Sequence, residues 1–566
     1  MQWTQRDTMF ALCTACFAAS LVIPLLSLAH LLDPFETFCA EVSRELLVTG
    51  KYTVMQYDFE PLWSIPPLFH WIQAVSMQAC GVTEYAARLP NAVLNALAMP
   101  IVFVIGKYLH NERFGILWTL LYAASFVSIA LALSAVSYPL GNLCTLLALC
   151  CLSLYYAPRT GSPRALGWII AAGVFAGCAV LSVGFPILLL VVCTWCGYWM
   201  TQRTTVSFPF GEGAVFLAVV LLVSSLWFGA ELLTTGLPFF REFLLAQVPT
   251  LSPTPSLSDI LLRYTMLAGM LLACFPVSAF VTLLSAKHLA DTYALYHCRV
   301  WLSIFLAVVM LFGGVFPLQV LDYSVLVYPL SFVSAYTLLG IVGRGHHLKR
   351  YTVFIFVSIG GLWSVLLIGL PLIATHPNWL SDSFSPTLFR EQTHVPVEWS
   401  LWDWCIGAVF MLGLIGILAL MLTRRHLEWI LLMSIICTAI FYVACVQFLP
   451  KLEAHLQHQV LTFYKRAGAE HAYLVTLGFE SPAALFYSKK SPANAASAHN
   501  LTREDFTAWL LEGTLDKPAY YVCKISNAKH WRNHPNLTEV TAGSEFVLFK
   551  REPTQPSSTT SLPRRD

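Results

Sequence analysis

The sequence predicts an α-helical polytopic membrane protein with a small α/β domain at its C-terminal end. Hydrophobic residues make up 57% of the 566 positions and charged residues only 11%, too few to cover a soluble surface. About thirteen segments are long and apolar enough to cross a bilayer as helices. Beyond residue 448 the pattern changes to short strand-like runs between polar helices. A net charge of +2, with no Lys/Arg-rich run, excludes an electrostatic nucleic-acid partner.

The first apolar segment, from about Met9 to Leu32, is too long and too poorly terminated for a cleaved signal peptide, so it is a retained span. The expected spans are 9–31, 88–108, 112–133, 138–157, 165–182, 184–201, 212–233, 259–284, 299–316, 321–342, 351–374, 403–423 and 428–448. The stretch 165–201 is divided at Gly184-Phe185-Pro186. With the N-terminus in the cytoplasm, one set of loops carries Lys107, Arg113, Arg159, Arg164, Arg203, Lys287 and Arg299. The same set continues with Arg344, Lys349, Arg350, Arg424 and Arg425. The opposite loops, 32–87, 234–258 and 375–402, are long, mixed or acidic, as the positive-inside rule requires. Thirteen spans put residues 449–566 on the same outer face as the loop 32–87. Trp399, Trp402 and Trp404 mark an interface belt. The chain thus divides into a membrane domain (1–448, including the loop 32–87), an extracytoplasmic α/β domain (449–553) and a Pro/Ser/Thr tail (554–566) expected to be disordered.

The loop 32–87 is the longest polar stretch of the first half, and a patterned loop of that length is more often a site than a linker. Residues 36–47 have helical spacing, with Cys39, Val42 and Leu46 on one face. Pro66-Pro67 can open a second helix to about Ala79, striped by Leu68, Ile72 and Val75. Both helices are amphipathic and belong at the membrane surface. Arg44, with Glu41 and Glu45, reads as an ion-paired cluster on a solvated face. Most of the 16 cysteines act as small hydrophobes within spans; Cys39 and Cys80 could pair or remain thiols.

In the C-terminal segment, 471–479 and 519–525 read as buried strands, and 539–540 with 545–550 as a hairpin turning at Ala542-Gly543. Ser481-Pro482 caps a short helix, and Thr502 with Asp505 opens another that stops at Gly513. Glu453, His455 and His458 have a helix spacing able to hold a metal, although polar residues on such a helix need none. No cofactor is required by the sequence, and a divalent metal stays open.

The motifs Glu36-Thr37, Ala40 to Glu45, Pro66-Pro67-Leu68 with Trp71, and Ala86-Ala87-Arg88-Leu89-Pro90 resemble those of the integral-membrane GT-C glycosyltransferases. Tyr323 with Val327-Tyr328-Pro329, and Ser481-Pro482 before Leu485-Phe486-Tyr487, extend the resemblance. The nearest branch is that of the lipid A aminoarabinose transferase and the protein O-mannosyltransferases. The resemblance implies sugar transfer from a polyprenyl-phosphate donor to an envelope lipid, glycan or protein, at the outer face of a bacterial-type cytoplasmic membrane. It also implies an acidic base and cations that neutralise the departing phosphate. Here the family's Asp is Phe35, its following Arg is Phe38 and its Lys before Pro-Pro is Ile65. The second outer loop's acid is Ser137, and two further lysines are Val183 and Gln319.

What remains gives Glu36 as the acid–base candidate, although a carboxylate there also suits a helix N-terminus. Asp33, before Pro34, reads as a helix-entry residue. Arg88, Tyr323 and Arg241 are the candidates for the donor phosphate, with snorkelling the plainer reading of Arg88. Glu41, Arg44 and Pro67 support the loop, and His70 reads as interfacial packing. The alternative function is a catalytically silent relative that binds a lipid-linked ligand or a membrane partner; solute transport is more distant, since paired broken helices are not evident.

Overall fold

In the computed structural model the described residues are 4–157, 165–202, 210–247, 256–283, 292–315, 320–344, 348–375, 397–423, 426–542 and 545–553. The expected tail and Gln319 lie outside them. The membrane domain begins with α1 (Gln5–Val22), followed by a 3-10 turn to Leu25. Next come α2 (Phe35–Thr49), a two-residue hairpin β1 (Gln56–Tyr57) and β2 (Glu60–Pro61), α3 (Leu68–Cys80) and α4 (Glu84–Leu109). After these follow α5 (Glu112–Ala124), α6 (Phe126–Ala132), α7 (Tyr138–Tyr155), α8 (Leu166–Val183), α9 (Phe185–Gln202), α10 (Phe210–Thr235) and α11 (Leu237–Gln247). The bundle is completed by α12 (Leu257–Ala273), α13 (Tyr293–Val315), α14 (Val327–Arg344), α15 (Arg350–Thr375), α16 (Leu401–Leu422) and α17 (His426–Leu456).

Three expected spans differ from their sequence reading. The first helix stops near Leu25, because the carbonyls of Leu26, Ala29 and His30 turn onto the Arg88 guanidinium instead of continuing a helical ladder. The span 112–133 is two helices bent by 69° at Ser125, which is extended. The span 259–284 is helical to Ala273 and resumes as a 3-10 turn after Pro276, which has no N–H to continue the ladder. The division at Gly184 holds: this residue ends α8 at φ 103°, a left-handed conformation suited to glycine.

Among the described residues, eleven helices are long and apolar enough to cross a membrane, and the bent pair α5–α6 makes a twelfth. α12 falls just short, at 17 residues. The C-terminal domain packs against the loop 32–87, so an even number of crossings separates them. The ten straight spans after the loop satisfy that only if the bent pair and 257–283 both cross or neither does. Both crossing restores thirteen spans.

α17 runs past residue 448 into the C-terminal domain, which continues with α18 (His458–Ala469), β3 (Tyr473–Leu477) and α19 (Pro482–Ser488). Then come α20 (Arg503–Glu512), β4 (Ala519–Lys524), α21 (Ile525–Arg532), β5 (Thr538–Ala542) and β6 (Phe546–Arg551). The sheet order is β3-β4-β6-β5, with β3 parallel to β4 and the other pairs antiparallel. Parallel pairing requires a crossover, which α19 and α20 supply. The Thr502 cap on Asp505 N–H is formed as expected.

Candidate functional site

The loop-side end of the bundle is organised by one buried ion pair. Glu36, in the first turn of α2, accepts from Arg88 Nε at 3.0 Å and from a terminal Arg88 nitrogen at 2.7 Å. Its two oxygens also accept from the backbone N–H of Ala135 and of Leu32, each at 2.8 Å. A carboxylate offers about four lone-pair positions, so none is left for a substrate hydroxyl. Arg88 is equally saturated. Besides Glu36 it donates to the carbonyls of Leu26, Ala29 and His30 at 2.7–3.1 Å, which uses all its N–H groups. Both side chains are almost fully buried. The pair fastens the end of α1, the loop helix α2, the start of α4 and the α6–α7 turn to one another. The expected free acid–base carboxylate and free phosphate-binding arginine are, in this structure, one closed staple.

Three more of the loop's charges are spent in the same way. Glu41 and Arg44 form a two-point pair at 2.6 and 2.7 Å, and Arg44 also donates to the Lys490 carbonyl of the C-terminal domain. Glu45 accepts from the backbone N–H groups of Asp58 and Phe59, which turn with positive φ. Its carboxyl is pushed well above the usual range, first by burial and then by Glu41. The cluster read as a solvated face is therefore buried, because the C-terminal domain covers it. Pro67 sits at the N-cap of α3, its carbonyl accepting from Trp71 N–H at 2.9 Å. His70 lies beneath, 3.1 Å from Ser43 Oγ, and burial lowers its pKa to about 4.

Asp33 docks the two domains. Its carboxylate accepts from Thr37 Oγ1, from Ser481 Oγ at 2.7 Å and from Ala483 N–H at 3.0 Å. Leu31 N–H donates to the Tyr487 hydroxyl, and Gln457 brackets residues 31–33 from α17's end. The motif Ser481-Pro482…Tyr487 thus serves as the receiving edge of this joint.

The other expected phosphate ligands are separated from the staple's chemistry. Tyr323 is fully buried and donates to the Gly313 carbonyl at 2.8 Å. Arg241 stands exposed on α11, with no ion pair among the described residues. Cys39 and Cys80 are both free thiols. His455 is not part of a candidate metal cluster among the described residues; instead Glu453 and His458 meet His30, with ligand atoms within 4.8 Å of one another. His30 Nδ1 lies 3.1 Å from Glu453, while Lys465 donates to His30 Nε2 at 2.7 Å. Lys465 already occupies one ring nitrogen of His30, so this trio does not present all its ligand atoms to a cation.

One group of charges at this mouth escaped the sequence reading. Asp322, half-buried in the 3-10 turn Val320–Leu326 that leads into α14, is close enough to the Tyr138 hydroxyl at the start of α7 to act on it electrostatically. Arg263, near the same end of α12, is close enough to act electrostatically on Tyr323. Arg263 lies within the largely apolar α12 and Asp322 at the entry to α14, and an ionisable residue at such a place is a functional signal in its own right.

The family model described as dolichyl-phosphate-mannose-protein mannosyltransferase matches residues 3–236. An undecaprenyl phosphate-alpha-4-amino-4-deoxy-L-arabinose arabinosyl transferase 2 of Sodalis glossinidius is 28% identical over 179 residues, 31% of this chain and 32% of that one. The protein of the same description from Proteus mirabilis is 24% identical over 184 residues, 31% of this chain and 33% of that one. These matches span about a third of the length of either relative. The crystal structure of ArnT from Cupriavidus metallidurans bound to undecaprenyl phosphate superposes with a TM-score of 0.71 at 15% identity, over 96% of this chain and 98% of that chain. Its apo state gives 0.70. Fold and partial sequence together show a multi-pass helical membrane protein that is similar to the GT-C glycosyltransferases. The similarity runs to the aminoarabinose transferases and the protein mannosyltransferases.

Proposed function

We propose that this protein is a GT-C glycosyltransferase of a bacterial-type cytoplasmic membrane, with its N-terminus in the cytoplasm and its C-terminal domain outside. It moves a sugar from a polyprenyl-phosphate donor to an envelope acceptor at the mouth covered by the loop 32–87. The observation that carries the reading is the fold: loop helices, bundle and C-terminal domain follow the ArnT architecture over nearly the whole chain. Sugar transfer needs a group that orients or deprotonates the acceptor and cations that neutralise the leaving phosphate. We assign the first role to Asp322, whose neighbour Tyr138 can relay or hold a proton at its hydroxyl, and the second to Arg263 with the exposed Arg241. Glu36 and Arg88 are positioning residues that fix the mouth's walls.

The saturated staple also favours a second reading. A relative whose retained motif charges have all become structural can hold a lipid-linked ligand without turning it over. The experiment is binding and turnover of a polyprenyl-phosphate sugar mixture by the purified protein. Release of polyprenyl phosphate supports the transferase, binding without release supports the silent relative, and absence of binding contradicts both.

A further inference from the structure

The C-terminal domain carries a cavity for which sugar transfer at the membrane gives no use. Its volume is about 700 Å³, within the range of small-molecule sites. It lies where the start of α4 meets α18, the beginning of β3 and the turn after α19. Lys465, Lys489, Lys490 and Lys517 line it, against the single carboxylate of Glu84. Asp58 neutralises Lys490, so in a chain with a net charge of only +2 the other three lysines concentrate positive potential at this one concavity.

Three of these lysines are held in place. Lys465 lies 5.2 Å over the Tyr487 ring and donates to His30. Lys517 lies 5.1 Å over the Tyr473 ring and donates to Asn494 Oδ1 at 2.8 Å. Lys490 is paired with Asp58 at 2.5 Å. An ammonium has three N–H groups, so one such contact leaves two to offer. Lys489 is exposed and without a partner among the described residues, and it sits at φ 51° in the turn that ends α19. That left-handed conformation is costly for an L-residue and is kept here by a lysine rather than a glycine. Cations already ordered by aromatic faces lose little freedom when an anion arrives. Several lysines on the wall of one cavity, with the Ser491 hydroxyl beside them, match a phosphate on a polar body rather than a lone carboxylate.

We infer that this cavity is a subsite for a phosphate-bearing ligand of sugar size, separate from the site at the membrane mouth. The ligand is either a free phosphorylated saccharide or the phosphorylated head group of a lipid.

The test uses the full-length protein in detergent, titrated calorimetrically with glucose 6-phosphate and with unphosphorylated glucose. The parent should bind the phosphate and not the neutral sugar, more weakly as salt rises. Lys489→Gly relieves the backbone while removing the charge, and Lys517→Gln keeps a donor for Asn494. Each should weaken binding by about tenfold, the factor of one charge-assisted contact. Lys529→Ala, on α21 outside the cavity, should not. Unchanged affinity in both cavity variants, or equal binding of glucose, overturns the inference. Displacement of glucose 6-phosphate by nanodiscs of phosphatidic acid, but not of phosphatidylcholine, supports it with a lipid head group as source; tight binding with no displacement supports it with a free ligand. Polyprenyl-phosphate binding by the same variants should stay unchanged, so this inference can fail without the membrane reading failing.

Discussion

Glu36→Gln separates a structural carboxylate from a catalytic one. In the parent the carboxylate receives two N–H groups from Arg88 and two from the backbone. Glutamine keeps one oxygen but sets an NH2 against two donors, which leaves a buried guanidinium half-paired. Two hydrogen bonds to a charged group contribute about 1.5–3 kcal/mol each, and breaking one side of a buried ion pair costs about 3–5 kcal/mol. Against a total stability of about 5–15 kcal/mol for a folded domain, that loss is large. Unfolding by SDS titration in mixed micelles, followed by tryptophan fluorescence, should therefore show a strongly destabilised protein. The double variant Glu36→Gln/Arg88→Gln should lose far less than the sum of the single losses, since both act through one pair. Wild-type stability in Glu36→Gln, with loss of polyprenyl-phosphate release alone, would refute the staple and return Glu36 to acid–base chemistry.

Three further outcomes follow from the geometry. Asp33→Ala leaves the Ser481 hydroxyl and Ala483 N–H without their partner, so it should cost about 1–3 kcal/mol and expose the joint before α18 to limited proteolysis. Unchanged cleavage would show that the C-terminal domain docks by other contacts. Gly115→Ala puts a Cβ 2.6 Å from the Phe103 carbonyl oxygen, where α4 and α5 cross, and should lower stability by about 1–3 kcal/mol in the same SDS titration. His70 is buried neutral with its pKa lowered to about 4 from 6.5, so the unfolded chain binds its proton first as pH falls. The stability it contributes is intact above pH 6.5 and is lost as pH falls towards 4, by up to about 3 kcal/mol at about 1.4 kcal/mol per unit. His70→Gln should flatten that part of the stability profile; an unchanged slope would assign it to other groups.

What could be read from the sequence depended on how far each cause lay along the chain. Spans, the two loop helices and the division at Gly184 rest on local periodicity and on glycine and proline, so they were visible. The stop of α1 was not, because the group that takes its carbonyls, Arg88, comes some sixty residues later. Glu41 and Arg44 looked solvated for the same reason: the domain that buries them contacts them through Lys490. The bend at Ser125 has no composition signal, and Phe126 N–H finds its acceptor at Phe275. Within the site, motif matching pointed to retained charges and so to Glu36 and Arg88. Asp322 and Arg263 carry a different signal, as charges beside and within apolar helices, and lie outside the family's motifs.

The most direct test compares polyprenyl-phosphate release by the purified parent and by Asp322→Asn, per unit of folded protein. The parent should release polyprenyl phosphate and Asp322→Asn should not, although its SDS unfolding profile should match the parent's. Full release by Asp322→Asn, or none by a folded parent that binds the donor, would contradict the role assigned to Asp322.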